Sequence, residues 1–119
     1  MKAIGVDIIE TERIAQSLMR FGDRFLQRVY TEQELAYCQG RAGSLAARWA
    51  AKEATAKALG TGIGAVSWRE IEVVIGPNQQ PAIQLHGAAV DLATRLGLSE
   101  FAVSLSHTKD YAIGFVVGE

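Results

Sequence analysis

Ser44–Gly64 reads SLAARWAAKEATAKALGTGIG. Ala, Leu, Arg and Lys are strong helix formers, and no Pro or Gly interrupts the run before Gly60, so it predicts one Ala-rich helix. Gly60 stands where a left-handed C-terminal cap belongs. Ala46, Trp49, Ala50 and Ala54 recur at helical spacing and mark one apolar face. Glu53 and Lys57 fall on that same face, one turn apart. Charged groups on a face that should be buried cost free energy unless something compensates them. Two readings stay open here. One is an ordinary i,i+4 ion pair worth roughly 0.2–0.5 kcal/mol. The other is that Glu53 holds a metal ion and Lys57 a phosphate.

Upstream, Ala3–Ile9 (AIGVDII) is a β-branched run that reads as a buried strand, with Asp7 inside it. A carboxylate in a buried strand must be paired, hydrogen-bonded or bound to a metal. A helix is predicted over Thr11–Arg20, with Thr11 as N-cap and Ile14, Leu18 and Phe21 as its apolar stripe. Gly22 breaks it, and Asp23 caps a second helix over Arg24–Tyr30 with Phe25, Leu26 and Val29 inward. From Arg13 to Tyr30, Arg13, Arg20, Arg24 and Arg28 stand against Asp23 alone. They read either as a solvated face or as a docking patch for an acidic partner. Thr31 with Glu34 matches a capping box, taken as purely structural, and opens a short helix to about Cys38. Gly40 and Gly43 bracket a turn before the central helix.

Downstream, Gly60, Gly62 and Gly64 suit a backbone that exposes its N–H groups to phosphate, or simply a turn. Ile71–Ile75 and Ala82–Leu85 flank the turn-forming GPNQQP and predict a hairpin. Ala88–Leu96 reads as a helix with Ala89, Leu92, Ala93 and Leu96 on its apolar face and Gly97 as stop. Phe101–His107 alternates, Phe101, Val103 and Leu105 on one face and Ala102, Ser104 and Ser106 on the other. Thr108-Lys109-Asp110 turns the chain into a last strand over Tyr111–Val117. Ser106, His107 and Thr108 together read as a polar ligand site or as hairpin-end capping. His86 has no partner in view and receives no role.

The pattern is α+β, with helices packed on a mainly antiparallel sheet, in one domain over 1–119. Hydrophobic residues are 49% and charged residues 21%, a soluble globular composition. The net charge of −1 gives no field for nucleic acid. The lone Cys38 cannot form an internal disulfide, which fits a reducing compartment. MKAIGVDIIETER lacks the features of a signal peptide, and no window of about 18 apolar residues exists to cross a membrane. The expectation is a cytoplasmic protein.

Three stretches carry a family resemblance: Gly5-Val6-Asp7-Ile8-Ile9-Glu10; Arg48-Trp49-Ala50-Ala51-Lys52-Glu53-Ala54 with Lys57-Ala58-Leu59-Gly60-Thr61-Gly62; and Ser104-Leu105-Ser106-His107-Thr108. In that order and spacing the chain resembles the holo-(acyl-carrier-protein) synthases, the small bacterial class of 4′-phosphopantetheinyl transferases, over nearly its whole length. Arg28-Val29-Tyr30-Thr31 with Glu34-Leu35 is similar to a further region of that family. Trp49 stands where an aromatic of Phe type is commoner and Thr55 where Phe or similar often sits; both bear on pocket shape.

The resemblance implies transfer of phosphopantetheine from coenzyme A to a serine of apo-acyl carrier protein, in fatty acid biosynthesis, releasing adenosine 3′,5′-bisphosphate. It implies Mg2+ held by Asp7 and Glu53, a hard cation on one or two carboxylates with room for phosphate oxygens. Lys57 would add positive charge at the same phosphates, and the Gly60–Gly64 loop, with Gly62, would approach the nucleotide. Ser106, His107 and Thr108 would bind the adenosine or its 3′-phosphate, with Arg48 and Lys52 assisting. Glu53, directly or through a metal-bound water, is the first candidate to take the serine proton and Asp7 the second. Arg13, Arg20 and Arg24 would dock the acidic carrier. Larger relatives look like two copies of the fold, so a single copy implies a homotrimer with inter-subunit sites. Two rival readings are a Mg2+-dependent nucleotide diphosphate hydrolase and a non-catalytic carrier-binding module. The first usually shows more acidic residues in one helix, and the second leaves Asp7, Glu53 and Lys57 unexplained.

Overall fold

The computed structural model describes residues 2–119. In chain order they form β1 (Ala3–Glu10), α1 (Thr11–Phe21), α2 (Asp23–Val29), α3 (Glu32–Cys38) and α4 (Ala42–Ala58). A single 3-10 turn (Trp68–Glu70) follows, then β2 (Ile71–Ile75), β3 (Pro81–Leu85), α5 (Gly87–Arg95), β4 (Phe101–His107) and β5 (Tyr111–Gly118). The strands make an antiparallel three-stranded sheet in the order β1-β5-β4 and a separate β2-β3 hairpin. The fold is α+β, as the pattern of elements predicts.

The register explains what positions the site. Across the sheet, Gly5 faces Val116 and Val116 faces Val103; Asp7 faces Gly114 and Gly114 faces Leu105; Ile9 faces Ala112 and Ala112 faces His107. This is the face that α4 covers, and where the helix comes closest it carries glycine, at Gly5 and Gly114. A Cβ on Gly5 would lie 1.8 Å from the Ala54 carbonyl oxygen, and one on Gly114 would lie 2.7 Å from the Ala51 amide nitrogen. Ala47, Ala50, Ala51, Ala54 and Ala58 of α4 are buried. Helix backbone therefore rests on strand backbone, which is the structural reason the central helix is rich in alanine.

The opposite sheet face corrects the expectation of a buried β1. Ile4 and Ile8 are each 61% exposed and Val6 is 46% exposed, because the two-residue period sends them away from α4. Tyr111, Ile113 and Phe115 of β5 share this open face. Other boundaries move for local reasons. Glu10, not Thr11, holds the N-cap position of α1, and Thr11 Oγ1 is buried with no partner. Gly22 rather than Asp23 precedes α2. Phe21 and Leu96 point outward, at 50% and 37% exposure, as each lies at the last turn of its helix. Gly43 lies inside α4 rather than in a turn before it.

The capping box at Thr31 and Glu34 forms, and Glu34 does more than cap. Its Oε1 accepts from the Thr31 amide at 2.9 Å, its Oε2 accepts from the Val73 amide at 2.8 Å, and Lys52 Nζ lies 2.7 Å from Oε1. His86 gains a partner that the sequence did not reveal: its Nε2 lies 2.9 Å from Glu72 Oε1, while Thr31 Oγ1 donates to Glu72 Oε2. Burial alone would raise the Glu72 carboxyl, and the bonds from Thr31 and His86 turn the net shift downward.

The helix–sheet seam makes a sharp prediction. Gly5→Ala should destabilise the fold by at least about 3 kcal/mol, the upper range for overpacking, since its methyl has backbone on both sides. Gly22→Ala, which meets nothing but must hold φ 56, should lose only about 1–2 kcal/mol. Urea denaturation of the two variants reads the contrast, and equal losses would contradict the seam.

Candidate active site

Asp7 leaves β1 on the α4 side, and Glu53 leaves α4 one residue before Ala54, whose carbonyl rests on Gly5. The close seam therefore brings the two carboxylates into electrostatic reach. Glu53 is half-buried; burial first, and then the Asp7 carboxylate, push its carboxyl above the ordinary range, while Lys57 pulls it down. Lys57 does not make the i,i+4 pair with Glu53 as its main contact. Its Nζ reaches across to β1, 3.1 Å from Asp7 Oδ1, and donates to the Val6 carbonyl at 2.9 Å. Asp7, Glu53 and Lys57 thus form one cluster of two anions and one cation at the C-terminal half of α4.

Two carboxylates with a single ammonium leave an excess of negative charge in a partly desolvated place. Its donor set is all oxygen, the chemistry a hard divalent cation prefers. Among the described residues no group of three or more His, Cys, Asp or Glu side chains gathers to hold a metal. A cation on Asp7 and Glu53 would keep open positions for oxygens from elsewhere.

The glycine loop has positive φ at Gly60 (81), Gly62 (69) and Gly64 (139). Its amides are occupied: Gly60 N–H donates to the Lys57 carbonyl, Gly62 N–H to that of Ala56, and Gly64 N–H to that of Val66. The loop therefore caps α4 and closes on itself rather than presenting a nest of free N–H groups. What it leaves is an unobstructed backbone, since a Cβ at Gly60 or Gly62 would meet nothing within 4 Å.

The remaining site residues lie toward the other end of α4. His107 packs on the first turn of the helix, where a Cβ on Gly43 would come 3.2 Å from its Nδ1. Arg48 is 5% exposed, stacks its guanidinium 4.3 Å from the Tyr37 ring, and keeps a buried Nε with no acceptor. Strand alternation turns Ser106 to the open sheet face, away from His107. Thr108 Oγ1 accepts from the Asp110 and Tyr111 amides at 3.3 and 3.2 Å and so caps the β4–β5 turn. Lys52 corrects a sequence expectation: it is wholly buried against Glu34 and is not available to a phosphate.

Arg13, Arg20, Arg24 and Arg28 are all exposed on α1 and α2. Arg24 and Arg28 line a groove of about 450 Å³ together with Phe21, Phe25, Trp49 and Trp68, among others, whereas Arg13 and Arg20 are not among its lining residues. Trp49 and Trp68 stack at a centroid distance of 4.0 Å beneath it. Sequence reading found the arginines but not the groove. Its floor depends on the Trp68–Glu70 turn, which has no periodic signal.

The family model described as the 4′-phosphopantetheinyl transferase superfamily matches residues 3–116. A holo-(acyl-carrier-protein) synthase of Herpetosiphon aurantiacus is 53% identical over 125 residues, covering 99% of this chain and 98% of the relative. The crystal structure of the Helicobacter pylori holo-(acyl-carrier-protein) synthase in complex with coenzyme A superposes with a TM-score of 0.89 at 32% identity, covering 98% of this chain and 99% of that one. That of Neisseria meningitidis gives a TM-score of 0.89 at 38% identity, covering 98% and 97%.

The raised Glu53 carboxyl is directly measurable. In Asp7→Asn the like charge is gone and Lys57 loses its carboxylate partner on β1, so the Glu53 titration should move down toward the ordinary carboxylate range. Carboxyl-carbon NMR titration of the metal-free protein reads this. An unmoved or higher Glu53 midpoint would mean that the two carboxylates do not share a site.

Proposed function

Since the chain belongs to the 4′-phosphopantetheinyl transferase superfamily and is an enzyme of the holo-(acyl-carrier-protein) synthase kind, we propose that it transfers phosphopantetheine from coenzyme A in a Mg2+-dependent reaction. The acceptor is a serine of apo-acyl carrier protein, and the observation that carries this reading is the Asp7–Glu53–Lys57 cluster. Asp7 and Glu53 would hold Mg2+, which when bound would supply positive charge to offset that on the phosphate oxygens. Lys57 donates to the same phosphates once it is drawn from Asp7, keeping the cluster near charge balance. The serine oxygen attacks the phosphorus that carries the pantetheine arm. The bond to the bridging oxygen breaks, and adenosine 3′,5′-bisphosphate leaves with that oxygen. The serine proton passes to Glu53, the half-buried carboxylate of the cluster. Asp7, held by the Lys57 ammonium, is the weaker candidate.

Support for the nucleotide end comes from the N-terminal half of α4. The unpartnered Nε of Arg48 and the imidazole of His107, beside the positive end of a 17-residue helix, suit a 3′-phosphate. Gly60 and Gly62 leave room for the nucleotide to pass close to backbone. Ser106 and Thr108 contribute to the same ligand from the β4 end, Ser106 by way of the open sheet face. That face, bearing Ile4, Val6, Ile8, Ile113 and Phe115, is apolar and uncovered in one chain, which supports a homotrimer with sites between subunits. Arg13, Arg20 and Arg24 dock the acidic carrier by charge. The setting is cytoplasmic fatty acid biosynthesis. Among the described residues no helix is long and apolar enough to cross a membrane.

The test is the intact mass of apo-acyl carrier protein after incubation with this protein, coenzyme A and Mg2+, with EDTA as control. A Mg2+-dependent gain of one phosphopantetheine group is expected, and Asp7→Ala or Glu53→Ala should reduce it to background. In the same assay Arg13→Glu should raise the carrier KM several-fold and leave that for coenzyme A unchanged. Hydrolysis of coenzyme A without carrier would instead favour a diphosphate hydrolase, and carrier binding without transfer would favour a binding module. Sedimentation equilibrium should give three copies for the wild type and a smaller species for Ile113→Asp; a wild-type monomer would end the inter-subunit reading.

A further inference from the structure

The alanine face of α4 brings its backbone onto Gly5 and Gly114, and Val116 beside them packs against only the small helix side chains of Ala54 and Ala58, a seam that offers little resistance to rotation of the helix about its axis. Rotation matters here. A turn of about 20° would carry a carboxylate about 6 Å from the axis through ~2 Å, enough to lose a metal ligand. Something else must fix the angular setting of α4.

Two polar side chains of α4 spend their hydrogen bonds on the helix itself, though Arg48 also stacks on Tyr37 of α3. Arg48 Nη1 donates to the Ser44 carbonyl, and Thr55 Oγ1 donates to that of Ala51. Lys57 bonds to β1 but belongs to the site. Lys52 is different. Its ammonium is wholly buried, and its three N–H bonds have acceptors on three other elements. These are Glu34 Oε1 of α3 at 2.7 Å, the Trp68 carbonyl of the 3-10 turn at 3.0 Å, and the Ile71 carbonyl of β2 at 2.5 Å. Glu34 is itself fixed by the Thr31 and Val73 amides. Tyr30 Oη adds one bond, at 2.8 Å, to the Leu45 carbonyl nearer the N-terminus of α4. The ammonium is thereby triangulated, and Lys52 directly precedes Glu53 in the chain. Adjacent helical residues differ by about 100° in direction, so a fixed Lys52 leaves Glu53 one direction to take.

We propose that Lys52 is a positioning residue, whose buried pairing with Glu34 sets the rotation of α4 and so aims Glu53 at the metal shared with Asp7. The proposal rests on the Asp7–Glu53 metal reading above. It assigns to Lys52 no contact with substrate and no proton transfer.

The test measures Mn2+ binding by electron paramagnetic resonance, with coenzyme A present, and so does not depend on turnover. Lys52→Met/Glu34→Gln removes both buried charges together, which avoids leaving one of them unpaired. Glu34→Asp keeps both charges but shortens the tether by one methylene. Circular dichroism confirms that each variant is folded at the measuring temperature. The double variant should bind Mn2+ about 10- to 100-fold more weakly, the usual loss when a residue that orients a metal ligand is removed. Glu34→Asp should show a smaller loss in the same direction, and in both variants kcat should fall with the carrier KM unchanged. Folded variants that bind Mn2+ as the wild type does would overturn the proposal and leave Lys52 purely structural. Wild-type protein that leaves all Mn2+ free would overturn the metal reading and the proposal together, a result visible before any variant is compared.

Discussion

Direct contact of the α4 backbone with β1 and β5 is the constraint on which the rest of the molecule depends. With Ala54 O and Ala51 N pressed over Gly5 and Gly114, there is no space for a side chain at either strand position. One consequence is compositional: α4 must be alanine-rich on that side, and the sheet must carry glycine beneath it. The other is chemical. Side chains that leave β1 and α4 at the margin of such a seam start from backbones in direct contact. Asp7 and Glu53 can then share one cation, and Lys57 can span from α4 to the Val6 carbonyl and Asp7.

The second organising feature is ionic and lies on the far side of the same helix. Lys52 and Glu34 are fully buried, and breaking such a pair by removing one partner typically costs 3–5 kcal/mol. Replacing both by apolar groups is often neutral, so stability alone does not account for the pair. Its acceptors do. They tie α4 to α3, to the 3-10 turn and to β2, elements that share no sheet with β1. From Glu34 the polar contacts continue through Thr31 to Glu72 and His86 at the start of α5. The β2-β3 hairpin and α5 are thereby joined to the helix that carries Glu53.

Much of this was legible in the sequence. The span of α4, the β2-β3 hairpin, the capping box and the β4-β5 pair follow from propensity, periodicity and turn chemistry, and they fall within a residue or two of the observed limits. The pairing of Asp7 with Glu53 came from the family resemblance together with two carboxylates standing in apolar runs. What was not legible has a common cause, namely that local sequence does not say which neighbour a residue meets. Lys52 and Lys57 look alike in the run AAKEATAK, yet one is enclosed by three elements and the other is exposed. The capping role of Glu34 was visible, whereas its ion pair spans from α3 to α4. The glycines after α4 read as free amides until the helix end claimed them. Ser106 and His107 are neighbours in sequence, and the strand period alone was enough to separate them.

The reading of β1 as buried failed for a reason that bears on function. A run of Ile4, Val6 and Ile8 ordinarily marks the covered face of a strand, and here it marks the open one. Close approach by α4 requires the inner face to be small at Gly5 and Gly114, so the bulky residues go to the other side. Tyr111, Ile113 and Phe115 of β5 extend the same apolar surface. Isolated exposed apolar residues need no explanation, but a continuous two-strand patch usually meets another protein surface. The geometry that builds the Asp7–Glu53 site thus also produces the face on which a second copy would sit. Ser106 lies on that face, while His107 and Arg48 lie toward the N-terminal end of α4 and the carboxylates toward its other end. The carboxylate cluster and the open apolar face are then two results of one packing arrangement, and a side chain at Gly5 or Gly114 would disturb both.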